Sequence, residues 1–127
     1  MESGLAWATV AALLIYAPVE TVYSWPNLGD PFYLIDVIAM MLMGGGVALS
    51  LRSRPHAAPG LVTAGWSWAA ANFWRAYFDR IRAIHGGAHV GALELRFVFS
   101  ELVVSLLATI LGAWLCYAAA RSTYQRR

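Results

Sequence analysis

Long apolar runs, separated by short polar stretches rich in proline and glycine, set the outline of this chain. Four runs approach the roughly 20 apolar residues that carry an α-helix across a bilayer. They cover about 5–23, 32–51, 61–78 and 97–120. The first carries only Glu20, near its end, and the second only Asp36, near its start. The third holds Asn72 and Arg75, and the fourth Glu101. Turn chemistry divides them. Trp25-Pro26-Asn27-Leu28-Gly29-Asp30-Pro31 is the first break, and Arg52 to Gly60, with Pro55 and Pro59, is the second. The third runs from about Asp79 to Arg96 and contains Gly86, Gly87 and Gly91. Spans of this length take about 80 residues and leave little chain for a separate soluble domain. The expected fold is therefore an all-α integral membrane protein, a single domain over 1–127 with four transmembrane helices in an antiparallel bundle. The N-terminus has no positive region and its apolar run is long for a signal peptide, so the run is expected to remain as a helix.

Composition agrees with this outline. Hydrophobic residues make up 60% of the chain and charged residues 13%, about half the charged share of a soluble domain. So few charges cannot coat a water-facing surface. Lysine is absent, the net charge is +2, and Cys116 is the single cysteine. A nucleic-acid partner and an intrachain disulfide are both excluded. Arg52, Arg54, Arg121, Arg126 and Arg127 would share one side of a four-span protein. Arg80, Arg82 and Arg96, balanced by Asp79 and Glu94, would share the other. The excess of arginine on the first side places both termini in the cytoplasm, with the bacterial inner (plasma) membrane as the expected location.

An ionisable side chain in hydrocarbon is costly, so it faces protein or a wet cavity. The polar residues do fall on single helical faces. Helix three aligns Trp68, Asn72, Arg75 and Asp79; helix four aligns Glu94, Val98, Glu101, Ser105 and Thr109. Helix one aligns Thr9, Leu13, Tyr16, Glu20 and Tyr23, and helix two offers Asp36, Met40, Met43, Gly44 and Val47. With the termini inside, Glu20, Asp36, Asn72, Arg75, Asp79 and Glu101 all fall in the outer half of the bundle. They would line a pocket with aromatic faces from Tyr16, Tyr23, Trp68, Trp74 and Tyr77. Four carboxylates crowded around one arginine cannot all stay ionised in a low dielectric, and a carboxyl that keeps its proton at neutral pH suits acid–base work. The plainer alternative is that Arg75 and Glu101 form a buried pair fixing helix register, with the aromatics as an interfacial belt.

The sharpest functional expectation is an intramembrane isomerase or cyclase acting on a lipophilic small molecule. Glu101 and Asp36 would exchange protons with it, and Arg75 would hold one carboxylate ionised. Asn72 and Tyr16 would orient it within walls that include Glu20 and Asp79. Trp68 and Trp74 would face a developing cation. Two other readings are a proton-coupled, small multidrug-type exporter working as a dimer and a non-catalytic subunit of a larger membrane complex. Membrane lipid and a homo-oligomeric partner are expected, and no cofactor is specified. His85 and His89 have metal-ligand spacing, but Gly86 and Gly87 between them suggest a loop rather than a site. Gly44-Gly45-Gly46 on helix two, with Ala108 and Gly112 on helix four, suggests close packing of those two helices. No phosphate-binding loop, catalytic serine elbow, CxxC pair or dinucleotide fingerprint occurs, and no family motif is legible.

Overall fold

The computed structural model describes residues 2–25, 28, 29, 31–51 and 58–124. Arg52, Arg54, His56, Arg126, Arg127 and the Tyr23 side chain lie outside the described residues. The chain forms four helices: α1 (Glu2–Ser24), α2 (Pro31–Leu51), α3 (Ala58–His85) and α4 (Ala92–Tyr124). Three contain segments long and apolar enough to cross a membrane, Gly4–Val22, Tyr33–Leu51 and Ala92–Tyr124. Their outer faces stay apolar: Leu14, Ile15, Val22, Met41, Leu107 and Ile110 are between 62% and 76% exposed. The expected third span, 61–78, falls short on hydropathy, because it carries Asn72 and Arg75 among Gly65, Ser67 and three tryptophans.

The position of α3 explains that composition. It packs along both α2 and α4, whereas α1 packs chiefly on α2 and barely touches α3 and α4. Two of α3's sides are therefore covered by protein. Small residues allow the close approach. A methyl group on Gly65 would lie 2.5 Å from Met43 Cγ and 2.9 Å from the Met43 backbone nitrogen, and one on Gly46 would lie 2.8 Å from the Val62 backbone nitrogen. Gly112 of α4 leaves room in the same way for the Thr63 side chain of α3. The expected packing of α2 on α4 is thus corrected. Among the described residues these helices do not contact one another, because the small residues of each are turned to α3. Gly44 and Gly45 have open space where a side chain would project.

The core joins all four helices through Leu5, Ala39, Met43, Val62, Trp66, Ala69 and Leu115. A buried polar link runs through it. Trp66 Nε1 donates to Thr9 Oγ1 at 3.0 Å, and Thr9 Oγ1 donates to the Leu5 carbonyl at 2.7 Å. Each such bond adds about 1 kcal/mol net. Together they fasten the first half of α1 to α3, where the direct contact is small.

Two helix boundaries differ from those read in the sequence. Helix three continues through His85 instead of ending near Phe78, and helix four starts at Ala92 instead of near Phe97. The connection of about 18 residues expected from Asp79 to Arg96 shrinks to residues 86–91. Polar side chains do not stop a helix; the glycine after it does. Gly87 has φ of +84°, its N–H bonds the Ile84 carbonyl at 3.0 Å, and the Ala88 N–H bonds the Ala83 carbonyl at 2.9 Å. This pair of bonds closes a Schellman cap, whose left-handed residue favours glycine.

Gly65→Ala should lower the stability of the protein in detergent by about 1–3 kcal/mol, the usual cost of overpacking a tight contact. Gly45→Ala, in open space within a helix, should be neutral or stabilising by up to about 1 kcal/mol. Thermal unfolding of the two variants checks the pair, and equal losses would contradict the assigned α2–α3 contact.

Candidate functional site

Polar side chains from all four helices meet where the end of α1, the start of α2, the end of α3 and the start of α4 come together. Helix periodicity puts Tyr16 and Glu20 one turn apart on the same face of α1. Asp36 follows in the second turn of α2, and Asn72 comes from α3 opposite it. Asn72 Nδ2 donates to Asp36 Oδ1 at 2.8 Å. Tyr16 and Glu20 line the same chamber as Asp36. Asp36 is thus the centre of a half-buried network drawn from three helices. The Asn72 amide donates to it, and the Tyr16 hydroxyl and the Glu20 carboxyl stand beside it on the chamber wall.

These residues line an open chamber of about 700 Å³, within the roughly 300–1,000 Å³ typical of small-molecule sites. Its remaining wall is largely apolar. Phe73 meets Tyr16 edge to face at 5.5 Å between ring centres, and Val19, Leu93, Phe97 and Val98 complete that side. Because α1 and α4 scarcely touch, the Val19 side and the Leu93–Phe97 side flank the weakest seam of the bundle.

Ion pairs ring the chamber. Arg75 Nε lies 3.5 Å from Asp79 Oδ2 on the next turn of α3, and Arg82 Nη1 donates to Asp79 Oδ1 at 3.4 Å. Arg80 Nε donates to Glu94 Oε1 at 2.8 Å and Arg80 Nη1 to the Ala76 carbonyl at 3.1 Å. The Arg80–Glu94 pair joins α3 to α4 across the short connection, and Glu94 lies in the first turn of α4, where the helix dipole favours a carboxylate. These groups are partly exposed, so each pair is worth at most about 1 kcal/mol.

Six residues singled out in the sequence come together here: Tyr16, Glu20, Asp36, Asn72, Arg75 and Asp79. Glu101 does not line the chamber. It lies one turn beyond the chamber residues of α4. The expected pairing of Arg75 with Glu101 is replaced by the contact with Asp79, four residues along the same helix. Trp68 and Trp74 stand at the surface, 42% and 54% exposed. Trp74 packs on Phe78, and Tyr77 packs between Phe78 and Phe99, fixing α3 to α4 outside the chamber. Sequence reasoning missed Arg80 and Glu94 as wall residues, because it placed 79–96 in a connection, and Phe73 and Phe97, because an apolar residue inside an apolar span carries no signal of a wall position. The spacing of Ala76, Asp79, Arg80 and Ala83, which continues the face of Asn72, was the signal available. His85 ends α3 and His89 is exposed in the connection; among the described residues no group of three metal-binding side chains converges. No protein family, curated protein or solved structure shows significant similarity to the chain.

Asn72→Leu should cost about 1–3 kcal/mol by leaving the half-buried Asp36 without its amide donor. Arg80→Ala should cost under about 1 kcal/mol. Unfolding in detergent, followed by tryptophan fluorescence, checks the order, and a larger loss for Arg80→Ala would show that the rim, not the Asp36 network, holds this end together.

Proposed function

We propose that the chain is an integral membrane protein whose chamber binds a lipophilic small molecule and carries out acid–base chemistry on it. All four helices cross the bilayer as an antiparallel bundle, with both termini cytoplasmic and the chamber near the outer surface. The apolar outer faces of α1, α2 and α4 support insertion, since no water-soluble fold keeps so many large apolar side chains exposed on three helices. The position of α3 between two neighbours supports its crossing as well, because a polar span is tolerated where protein or a wet cavity covers it.

The observation that carries the functional reading is the Asp36 network at the wall of a mostly apolar chamber. A small-molecule site combines apolar walls with a few convergent polar groups that fix orientation. Acid–base conversion further needs one group to give a proton and another to take one, both within reach of the bound molecule. Glu20 and Asp36 meet that requirement together, with Tyr16 and Asn72 orienting them. The proton-transfer role expected for Glu101 passes to Glu20 in this reading, because Glu20 lines the chamber and Glu101 does not. Arg75 and Asp79 shape the charged rim. The half of the molecule beyond the chamber is filled by Leu5, Met43, Val62, Trp66 and Leu115. The filled core beyond the chamber favours a binding or converting protein over an exporter, which needs access from both sides.

Native mass spectrometry of protein extracted in mild detergent should reveal a bound small molecule whose occupancy falls at least tenfold in Asp36→Asn and Glu20→Gln. Retention of that molecule by both variants would remove the network from the site. Topology is tested separately in a Cys116→Ser background. Ala88→Cys should react with a membrane-impermeant maleimide on intact cells, and Tyr124→Cys only after permeabilisation; the reverse pattern would overturn the orientation.

A further inference from the structure

The way the helices close around the chamber restricts what can reach it. Helix α2 packs on α1 and on α3, and α3 packs on α4, so three sides of the chamber are closed by continuous helix contact. The side between α4 and α1 is not. At the far end that gap is stopped by the core, to which α1 gives Leu5 and α4 gives Leu115. At the chamber end its edges are Val19 of α1 and Leu93 and Phe97 of α4. These residues line the chamber and are still 47%, 85% and 43% exposed. Ile15 and Val22 of α1 and Val104 of α4 are exposed as well, so the lips of the gap continue into apolar helix surface.

A polar head drawn through such a gap gives up its water on the way. That cost is far larger for a charged group than for a neutral one. At the inner end of the path stands the Asn72–Asp36 pair. Asn72 gives one N–H to Asp36 Oδ1, but an amide has two N–H groups and a carboxyl has two oxygens. A hydroxyl is the smallest neutral group that donates and accepts at once, so it matches both members of the pair. The Tyr16–Phe73 ring pair on the same wall offers apolar surface to the carbons that follow.

We infer that the chamber takes a lipophilic alcohol directly from the bilayer, through the seam between α1 and α4, with its hydroxyl at the Asn72–Asp36 pair and its hydrocarbon body along Val19 and Phe97. This rests on the reading of the chamber as a ligand site. The hydroxyl donates to an Asp36 carboxyl oxygen and accepts from the Asn72 amide. The seam opens by a small separation of α1 from α4, because few contacts hold the two together.

The probes are hexadecanol bearing a diazirine in mid-chain and its methyl ether, which accepts a hydrogen bond but cannot donate one. The full chain in a Cys116→Ser background is reconstituted in phosphatidylcholine vesicles and mixed with probe-loaded vesicles. Irradiation at intervals and peptide mass spectrometry follow uptake; dilution into empty vesicles follows release. The alcohol should label the segments around Tyr16, Phe73 and Phe97, with a plateau about fivefold above that of the ether, as one hydrogen bond of about 1 kcal/mol gives. Val19→Cys and Phe97→Cys, each capped with benzyl methanethiosulfonate in detergent before reconstitution, should slow uptake and release alike, and reduction should restore both. Either serves if the other does not fold. The same cap on Leu14→Cys, on an exposed face of α1, should change neither rate. Equal plateaus for alcohol and ether would overturn the hydroxyl assignment and leave the chamber as a ligand site. Unchanged rates in the capped seam variants, or slower uptake with faster release, would overturn the route. Absence of chamber labelling by both probes would remove the alcohol and the chamber reading together.

Discussion

Close backbone approach at Gly46, Gly65 and Gly112 is the constraint on which the other features depend. It sets α3 against α2 on one side and α4 on the other. In a low-dielectric surrounding such crossings gain from dispersion and tight fit more than from removing apolar surface from water. A side chain at any of the three would hold the helices apart. Once α3 is flanked in this way, it no longer needs to be apolar on every face. It can carry Asn72, Arg75, Asp79 and Arg80 at one end, although its hydropathy is below that of its neighbours.

The chamber follows from an imbalance in the same packing. Helix α1 has no comparable run of glycine contacts with α3 or α4. It is held mainly by α2 and by the buried Trp66–Thr9 link in its first half. Its second half, with Tyr16 and Glu20, forms one wall of a cavity lined by four helices. A dense crossing at one end and a loose one at the other give a site that is rigid where α2 meets α3 and weakly bounded where α1 faces α4. The Asn72–Asp36 bond lies on the rigid side, which suits a group that must hold its orientation.

The ion pairs at the chamber's edge play a different part. Arg80–Glu94 ties the end of α3 to the first turn of α4 just where the Schellman cap at Gly87 turns the chain. Arg75–Asp79 and Arg82–Asp79 extend α3 by local pairing, so a stretch with the composition of a loop stays helical. Small energies from each pair, added to a well-made cap, account for the seven helical residues beyond Phe78.

By itself the sequence determined four helices and which polar residues share a face; it read all four as apolar spans, and three of them are apolar enough to cross a membrane. Periods of three and four residues say which side chains share a face, and hydropathy says how far a helix can run through lipid. Tyr16, Glu20, Asp36, Asn72, Arg75 and Asp79 were legible on those grounds. Tertiary structure alone decided which neighbour each face meets. Glu101 shares its face with Val98, yet the chamber wall on α4 ends at Val98. Trp68 and Trp74 belong to the richest helix and still stand at the surface. Gly46 and Gly112, similar in sequence character, meet α3 and not each other. Helix rotation and helix order are set by contacts between residues distant in the chain, and no local spacing encodes them.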